Sequence, residues 1–235
     1  MVQSYLAKDE KRAEKVRELF DAIAPRYDLI NDLQSFWLHR HWKRRLVQLA
    51  GVKPGQRALD LCCGTGDIAL ALAGQGAKVT AMDFSEPMLK IAEQRKGNAD
   101  IEYKSGDALN TGEPEAHYDC VTIAYGLRNL ADFEGGLAEM HRVTKPGGKL
   151  LALDFGKPPS RLVRFWYLGY LKWIVPCFGR IFCRDAPAYA YIHESLEDYP
   201  AQAGIADAME KLGCEKIKTH NLLHGTMAIN VGVKV

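Results

Sequence analysis

Hydrophobic positions along this chain follow two different rhythms. Short apolar runs at 57–62, 78–82, 101–105, 119–124 and 149–155 predict strands. Between them, at 66–73, 86–96 and 132–143, apolar residues recur at helical spacing. Strands alternating with helices argue for a parallel sheet covered on both faces. The first stretch, 8–24, reads as an amphipathic helix with Val16, Leu19, Phe20 and Ile23 on one side, ended by Pro25. A second helix, about 36–51, carries Arg40, Lys43 and Arg44 on one face. Pro146-Gly147-Gly148 reads as the turn into the fifth strand. A helical stretch at 160–198 then breaks the rhythm, before a helix at 200–212 stopped by Gly213 and strands at 215–220 and 226–234. The pattern predicts one domain over 1–235, with a helical cap at 1–50 and a helical lid at 156–198.

Composition narrows the function classes. The 235 residues are 47% hydrophobic and 26% charged, as in an ordinary globular chain. A net charge of +2 gives no bulk electrostatic case for nucleic acid. None of the six cysteines has the C-x-x-C spacing of a zinc site, so reduced core cysteines and no metal are expected. Met1 to Lys15 is charged rather than apolar, unlike a secretory leader, and no apolar run reaches the about 18 residues of a spanning helix. A cytoplasmic location is the expectation, with room for peripheral contact at the inner membrane face.

Candidate chemistry concentrates where the first strand breaks. Leu59-Asp60-Leu61-Cys62-Cys63-Gly64-Thr65-Gly66-Asp67 is an apolar strand, a glycine loop and a helix start, and the second strand closes on Asp83. Glycines let backbone approach a ligand, and a carboxylate at the end of the second strand suits a ribose diol. The loop lacks the Gly-Lys-Ser/Thr ending of a phosphate loop. Asp60 beside the glycines would repel a pyrophosphate and suits a cationic ligand, which S-adenosylmethionine is. A ligand-free strand-turn-helix stays open beside this reading.

Several further segments resemble the S-adenosylmethionine-dependent C-methyltransferases of ubiquinone and menaquinone biosynthesis. These are Phe20-Asp21-Ala22-Ile23-Ala24-Pro25-Arg26-Tyr27-Asp28, Leu38-His39-Arg40-His41-Trp42-Lys43-Arg44, Tyr125-Gly126-Leu127-Arg128-Asn129 and Met140-His141-Arg142-Val143-Thr144-Lys145-Pro146-Gly147-Gly148. Departures are Cys62-Cys63 in place of small residues, Asn110-Thr111 in place of Pro-Phe, and Asn230 where the family often has His. The resemblance implies a Rossmann-like class I methyltransferase fold: an α/β, mostly parallel seven-stranded sheet with N-terminal helices and a helical insertion after strand five. It implies C-methylation of a polyprenylated hydroquinone, demethylmenaquinol first. The ubiquinone-pathway benzoquinol, another small lipid, and a silent cofactor-binding partner in a quinone-synthesis complex stand as alternatives. An oligomer stays open.

The same resemblance implies the site residues. Asp60, Gly64, Thr65, Gly66, Asp83, Asp107, Ala108 and Ala124 would hold the cofactor, although Asp60 suits a purely structural role in the loop equally well. A ring carbon becomes nucleophilic when the neighbouring hydroxyl ionises, so catalysis needs a base or a cation. Arg128 is the candidate cation, with a loop clamp as its alternative. Tyr27, Tyr191 and His193 are candidates for positioning or proton removal. In 161–175, helical spacing places Arg161, Arg164, Leu168 and Lys172 on one side and Leu162, Trp166, Gly169, Tyr170 and Trp173 on the other. That is the pattern of an interfacial helix on a membrane surface, or of a helix covering a sheet edge.

Overall fold

In the computed structural model, residues 10–174, Leu196 and 199–235 are described. Helix α1 (Glu10–Ile23), a 3-10 turn (Ala24–Arg26), α2 (Tyr27–Gln34) and α3 (Leu38–Ala50) precede the sheet. Then come β1 (Arg57–Leu61), α4 (Asp67–Ala73), β2 (Lys78–Asp83), α5 (Glu86–Arg95), β3 (Ile101–Ser105), β4 (Tyr118–Ala124), a 3-10 turn (Leu127–Asn129), α6 (Phe133–Val143) and β5 (Thr144–Phe155). Helix α7 (Arg161–Gly169) runs into a π-type turn (Tyr170–Ile174), and α8 (Ala201–Lys211), β6 (Cys214–Leu222), a short turn (Leu223–Gly225) and β7 (Met227–Lys234) complete the order. The seven strands lie in the order β3-β2-β1-β4-β5-β7-β6, with β7 antiparallel to both neighbours and the other pairings parallel. The α/β fold class is as expected.

Strand periodicity explains the two cores. Leu59 and Leu61 of β1, Val121 and Ile123 of β4, and Leu150 and Ala152 of β5 lie in register and face α6 and α8, where Leu137, Met140, Ile205 and Met209 meet them. The alternate residues Ala58, Cys120, Leu151 and Leu153 face the other way, against Leu46 and Val47 of α3 and Ile68 and Leu72 of α4. Central strands buried on both faces read as continuous apolar runs, which is why their positions were legible. Asp60 falls on the second face directly opposite Thr122, and both are buried polar residues in that core.

Three expectations need correction. Helix α1 ends before Pro25 as read, but helix α2 after it was not expected: Pro25 sits in the first positions of the 3-10 turn, where its missing N–H costs no intrahelical bond, and α2 follows at once. Pro146-Gly147-Gly148 lies inside β5 as an irregularity between the Tyr118–Thr144 and Cys120–Lys149 pairings, not before the strand. Tyr170 does not share the outward face of α7: its hydroxyl donates to the Gln34 carbonyl at 2.6 Å, and the next residue, Leu171, is buried.

Glu139 of α6 holds the long β3–β4 connection. One carboxylate oxygen accepts from the Thr111 backbone N–H at 2.9 Å and its hydroxyl at 2.6 Å, and Arg142 donates to both oxygens at 2.7 Å. Arg142 and these bonds hold the Glu139 carboxyl down to about 2, against an ordinary value of 4.5. Its stabilisation is therefore complete above pH 4.5 and is lost as the pH falls toward 2. Glu139→Ala should cost about 2 kcal/mol or more in chemical denaturation at pH 7, since each bond to a charged group contributes about 1.5–3 kcal/mol. The deficit should shrink at pH 3. A deficit independent of pH would place the stabilisation in the packing of the methylenes.

Candidate functional site

The strand order reverses between β1 and β4, and in an open parallel sheet the crevice beyond such a switch point is where ligands sit. Both strands end here in left-handed backbone: Cys62 has φ 52° and Tyr125 φ 59°. A side chain on Gly126 would stand 2.5 Å from the Cys62 Cβ, so only glycine lets the two ends meet. Tyr125's carbonyl accepts from Arg128 Nη1 at 2.7 Å and Asn129 Nδ2 at 3.0 Å, and the Arg128 backbone N–H donates to Asp154 at 3.1 Å. Gly-Leu-Arg-Asn is thus a self-capping turn that fixes a strained tyrosine at the crevice.

On one side of this joint lies a cavity of about 190 Å³ whose wall includes Gly64, Asp83, Met88, Asp107, Ala108 and Ala124. Asp83 accepts the Gly64 N–H at 2.8 Å on one oxygen and the Ser85 N–H at 2.9 Å on the other. Burial raises its pKa, and these N–H groups oppose the rise. A carboxylate oxygen accepts more than one hydrogen bond, so each can also take a donor from a vicinal diol in the cavity it lines. Gly64 has φ 53° and Gly66 φ 86°, and a side chain on Gly66 would collide with the Tyr103 hydroxyl at 2.4 Å. Asp107 is exposed and accepts the Leu109 N–H at 2.9 Å, so it caps its loop while standing beside the cavity. The Thr65 hydroxyl donates to Asp28 at 2.8 Å and its carbonyl accepts from Arg95 at 2.8 Å, which ties the cap to the loop.

Asp60 is 1% exposed; one oxygen accepts from the Thr122 hydroxyl at 2.7 Å, and the other is buried without a hydrogen-bond partner among the described residues. Burial pushes its pKa up to about 7. It lines a void of about 20 Å³ with Thr65, Lys43 and Tyr125, room for one water-sized group. Lys43 is committed to Asp67 at 2.8 Å. An orphaned carboxylate oxygen at the glycine loop fits the ammonium of S-adenosylmethionine, and Asp83 fits its ribose.

On the other side lies a cavity of about 550 Å³, mostly apolar, roofed by α1, α2, α3 and α7. Phe20, Tyr27 and Tyr125 line both cavities and form the wall between them. Arg128 lines the larger one, its guanidinium 4.8 Å from the Phe155 ring centroid and 3.8 Å from the buried Asp154. Arg128 thus clamps the turn, the alternative expected for it, while its side chain also borders the large cavity. Burial raises the Tyr27 pKa, so its phenol keeps its proton and can donate rather than act as base. Tyr191 and His193 lie outside the described residues. Asn230 donates to the Gln202 carbonyl at 2.9 Å and to Thr219 at 3.0 Å, a packing role away from both cavities. No cluster suited to a metal occurs among the described residues. Tyr125, Gln34 and His39 were missed in the sequence. For Tyr125 the signal was its place beside Gly126, where a tight backbone joint strains its neighbour.

An ammonium held by Asp60 would make cofactor affinity depend on pH. An ammonium seated against its free oxygen favours the ionised form, so the bound pKa falls below the free value of about 7. Binding then releases a proton at low pH, and affinity for S-adenosylhomocysteine should fall roughly tenfold from pH 8 to pH 6 by linkage. Calorimetry should find that dependence abolished in Asp60→Asn. A parent affinity that is flat over this range would show that Asp60 does not meet the ammonium.

Comparison with known proteins agrees with this geometry. The chain is 40% identical over 233 residues to the ubiquinone/menaquinone biosynthesis C-methyltransferase UbiE of Pseudomonas fluorescens (strain SBW25), covering 96% of this chain and 91% of that protein. Among solved structures, it resembles an S-adenosylmethionine-dependent methyltransferase from Thermotoga maritima with TM-score 0.67 at 18% identity, covering 94% of this chain and 100% of that one. It also resembles Haemonchus contortus phosphoethanolamine N-methyltransferase 2, solved with S-adenosylhomocysteine, with TM-score 0.63 at 17% identity over 83% of this chain and 52% of that one. The family model described as the ubiE/COQ5 methyltransferase family matches residues 7–234, and the chain belongs to that family.

Proposed function

We propose that this protein methylates a ring carbon of a polyprenylated naphthohydroquinone, demethylmenaquinol, at the wall where its two cavities meet. The observation that carries the reading is that wall: Phe20, Tyr27 and Tyr125 border both the Asp83 cavity and the large apolar cavity. S-adenosylmethionine, when bound, supplies an electrophilic methyl group. Asp83 holds its ribose, Asp60 its ammonium, the 64–66 backbone its methionine portion, and Asp107 with Ala108 its adenine edge. Binding two reactants where the two cavities join turns a bimolecular encounter into an aligned one. Tyr27 and Tyr125 orient the ring, and Arg128 stabilises negative charge developing on the ring oxygen.

The large cavity opens through an apolar rim. Phe36 is 66% exposed, Leu162 and Trp166 each 69%, and Leu223 54%, and all four line the cavity. Arg161, Arg164 and Lys172 are exposed on the same segment, and no helix among the described residues is long and apolar enough to cross a membrane. A prenyl tail lies in the bilayer, so the protein works from the cytoplasmic face of the membrane, with this rim in the headgroup region and the tail passing through it.

Arg128→Gln keeps a donor for the Tyr125 carbonyl and removes the charge. Turnover of demethylmenaquinol should fall more than tenfold, about 1.4 kcal/mol in the barrier. Cofactor affinity should stay near the parent's, and the deficit should narrow as rising pH ionises the hydroquinone unaided. Parallel loss of affinity would make Arg128 only a clamp.

The substrate class is tested with long-tailed demethylmenaquinol in vesicles, a tail-less analogue and the corresponding benzoquinol. The parent should methylate the long-tailed naphthohydroquinone best. Leu162→Ser with Trp166→Ser should reduce that rate well below parent and leave the tail-less rate nearly unchanged. Equal losses on both would make the rim ordinary packing, and preference for the benzoquinol would move the enzyme to ubiquinone synthesis.

A further inference from the structure

Two residues that line the large cavity carry buried polar atoms that the account so far leaves idle. His39 and Gln34 both line it, and both His39 Nδ1 and Gln34 Nε2 are buried without a hydrogen-bond partner among the described residues. In a mostly apolar cavity, an unpaired acceptor and an unpaired donor cost free energy unless a ligand meets them. Their chemistry is complementary to one hydroxyl group, which donates once and accepts as well.

The sequence builds this pair into the hairpin between α2 and α3. Asp32 in the last turn of α2 and His39 in the first turn of α3 are brought together across a turn with left-handed Phe36 and Trp37. His39 Nε2 lies 2.9 Å from Asp32 Oδ1, both side chains being buried. Arg40 donates to Asp32 from Nε at 2.6 Å and from Nη2 at 2.5 Å, which keeps that carboxyl ionised below its ordinary value. An ionised carboxylate accepts only, so His39 Nε2 carries the proton and Nδ1 presents a lone pair. The Tyr170 hydroxyl fixes the Gln34 backbone at 2.6 Å on the opposite side.

We propose that the Asp32–His39 pair is the general base of the methyl transfer, with Nδ1 taking the proton of a ring hydroxyl that also accepts from Gln34 Nε2. This rests on the hydroquinone reading above and assigns a base to it. The hydroxyl O–H proton passes to Nδ1, and the imidazolium is balanced by Asp32. The electron pair released into the ring forms the new carbon–methyl bond while the sulfur–methyl bond breaks and its pair stays on sulfur. The methylated carbon then loses its ring proton to water, and the imidazolium returns its proton to the oxygen, so one proton is released per turnover.

Burial lowers the His39 pKa from its ordinary 6.5, Asp32 and Asp67 oppose that fall, and Lys43 adds to it. The ring is therefore neutral and available at neutral pH, and activity should fall as His39 protonates in the acid range.

The test uses the full-length protein, tail-bearing demethylmenaquinol for turnover, and anaerobic 1,4-dihydroxynaphthalene as a binding probe. His39→Gln should lower kcat by about 100-fold, the usual worth of a positioned base. It should also erase the acid limb of the kcat/KM profile, with S-adenosylhomocysteine affinity and Tm near the parent's. Asp32→Asn should lower kcat comparably. In the parent, the probe should shift the His39 imidazole nitrogen resonances, and Gln34→Leu should weaken that binding while keeping the acid limb. An acid limb that survives in His39→Gln, or His39 resonances that do not respond to the probe, would overturn the assignment while parent turnover leaves the hydroquinone reading standing. A parent that binds cofactor and does not methylate the hydroquinone would overturn both.

Discussion

Everything in the site hangs on the joint between the ends of β1 and β4. Two non-glycine residues, Cys62 and Tyr125, are held in left-handed backbone, a conformation that costs about 1 kcal/mol or more each. Gly126 lets them come together, since any side chain there would overlap Cys62. The carbonyl of Tyr125 is then held by Arg128 and Asn129, and the turn itself by Asp154. Strain at this point sends the glycine loop to one side of the sheet edge and aims Tyr125 between the cavities. Cys62 and Cys63 take part as packing groups: burial raises both thiols well above their ordinary pKa, so they remain protonated and inert.

The cap is the second constraint, because the large cavity exists only where α1, α2, α3 and α7 roof the sheet edge. Polar bonds hold the cap beside the burial of its apolar face. Thr65 and Arg95 meet Asp28, Lys43 meets Asp67, and Ser85 meets Asp21, while Arg95 also joins α5 to Asp67 of α4. Apart from the last, these bonds run between the cap and the elements that carry the cofactor loop, so closing the roof and shaping the loop are one event. A ligand that orders the glycine loop would therefore stabilise the roof over the second substrate. The contrast between a polar seam at the cofactor and an apolar rim at the mouth matches a reaction between a water-soluble cation and a lipid.

Legibility in the sequence followed the physics of each element. Central strands buried on both faces are dense in apolar residues, and 57–62, 78–82 and 101–105 were readable to within a residue. Asp83 and the glycine loop were readable because positive φ and strand-end carboxylates are local requirements. Helix α2 was not, since Pro25 reads as a stop until the 3-10 turn that accommodates it is seen. Tyr170 was placed on the wrong face because the regular helix gives way to a π-type turn, which shifts the angle between successive side chains. The Asp32–His39 contact was invisible for a related reason. It spans a turn whose Phe36 and Trp37 adopt backbone that large side chains rarely take, so helical spacing across it means nothing. Arg128 was legible as a site residue but not as a clamp, because its carbonyl partner is created by the strain at Tyr125.

The central claim is that methyl donor and ring acceptor meet where the two cavities join, beside Phe20, Tyr27 and Tyr125. The most direct measurement is a crystal structure of the protein with S-adenosylhomocysteine and a prenylated naphthohydroquinone. The account predicts the ribose on Asp83, the homocysteine sulfur facing the ring beside Tyr27 and Tyr125 with no side chain between them, and the tail leaving between Phe36 and Trp166. A ring bound outside the large cavity, or separated from the sulfur by those side chains, would contradict it.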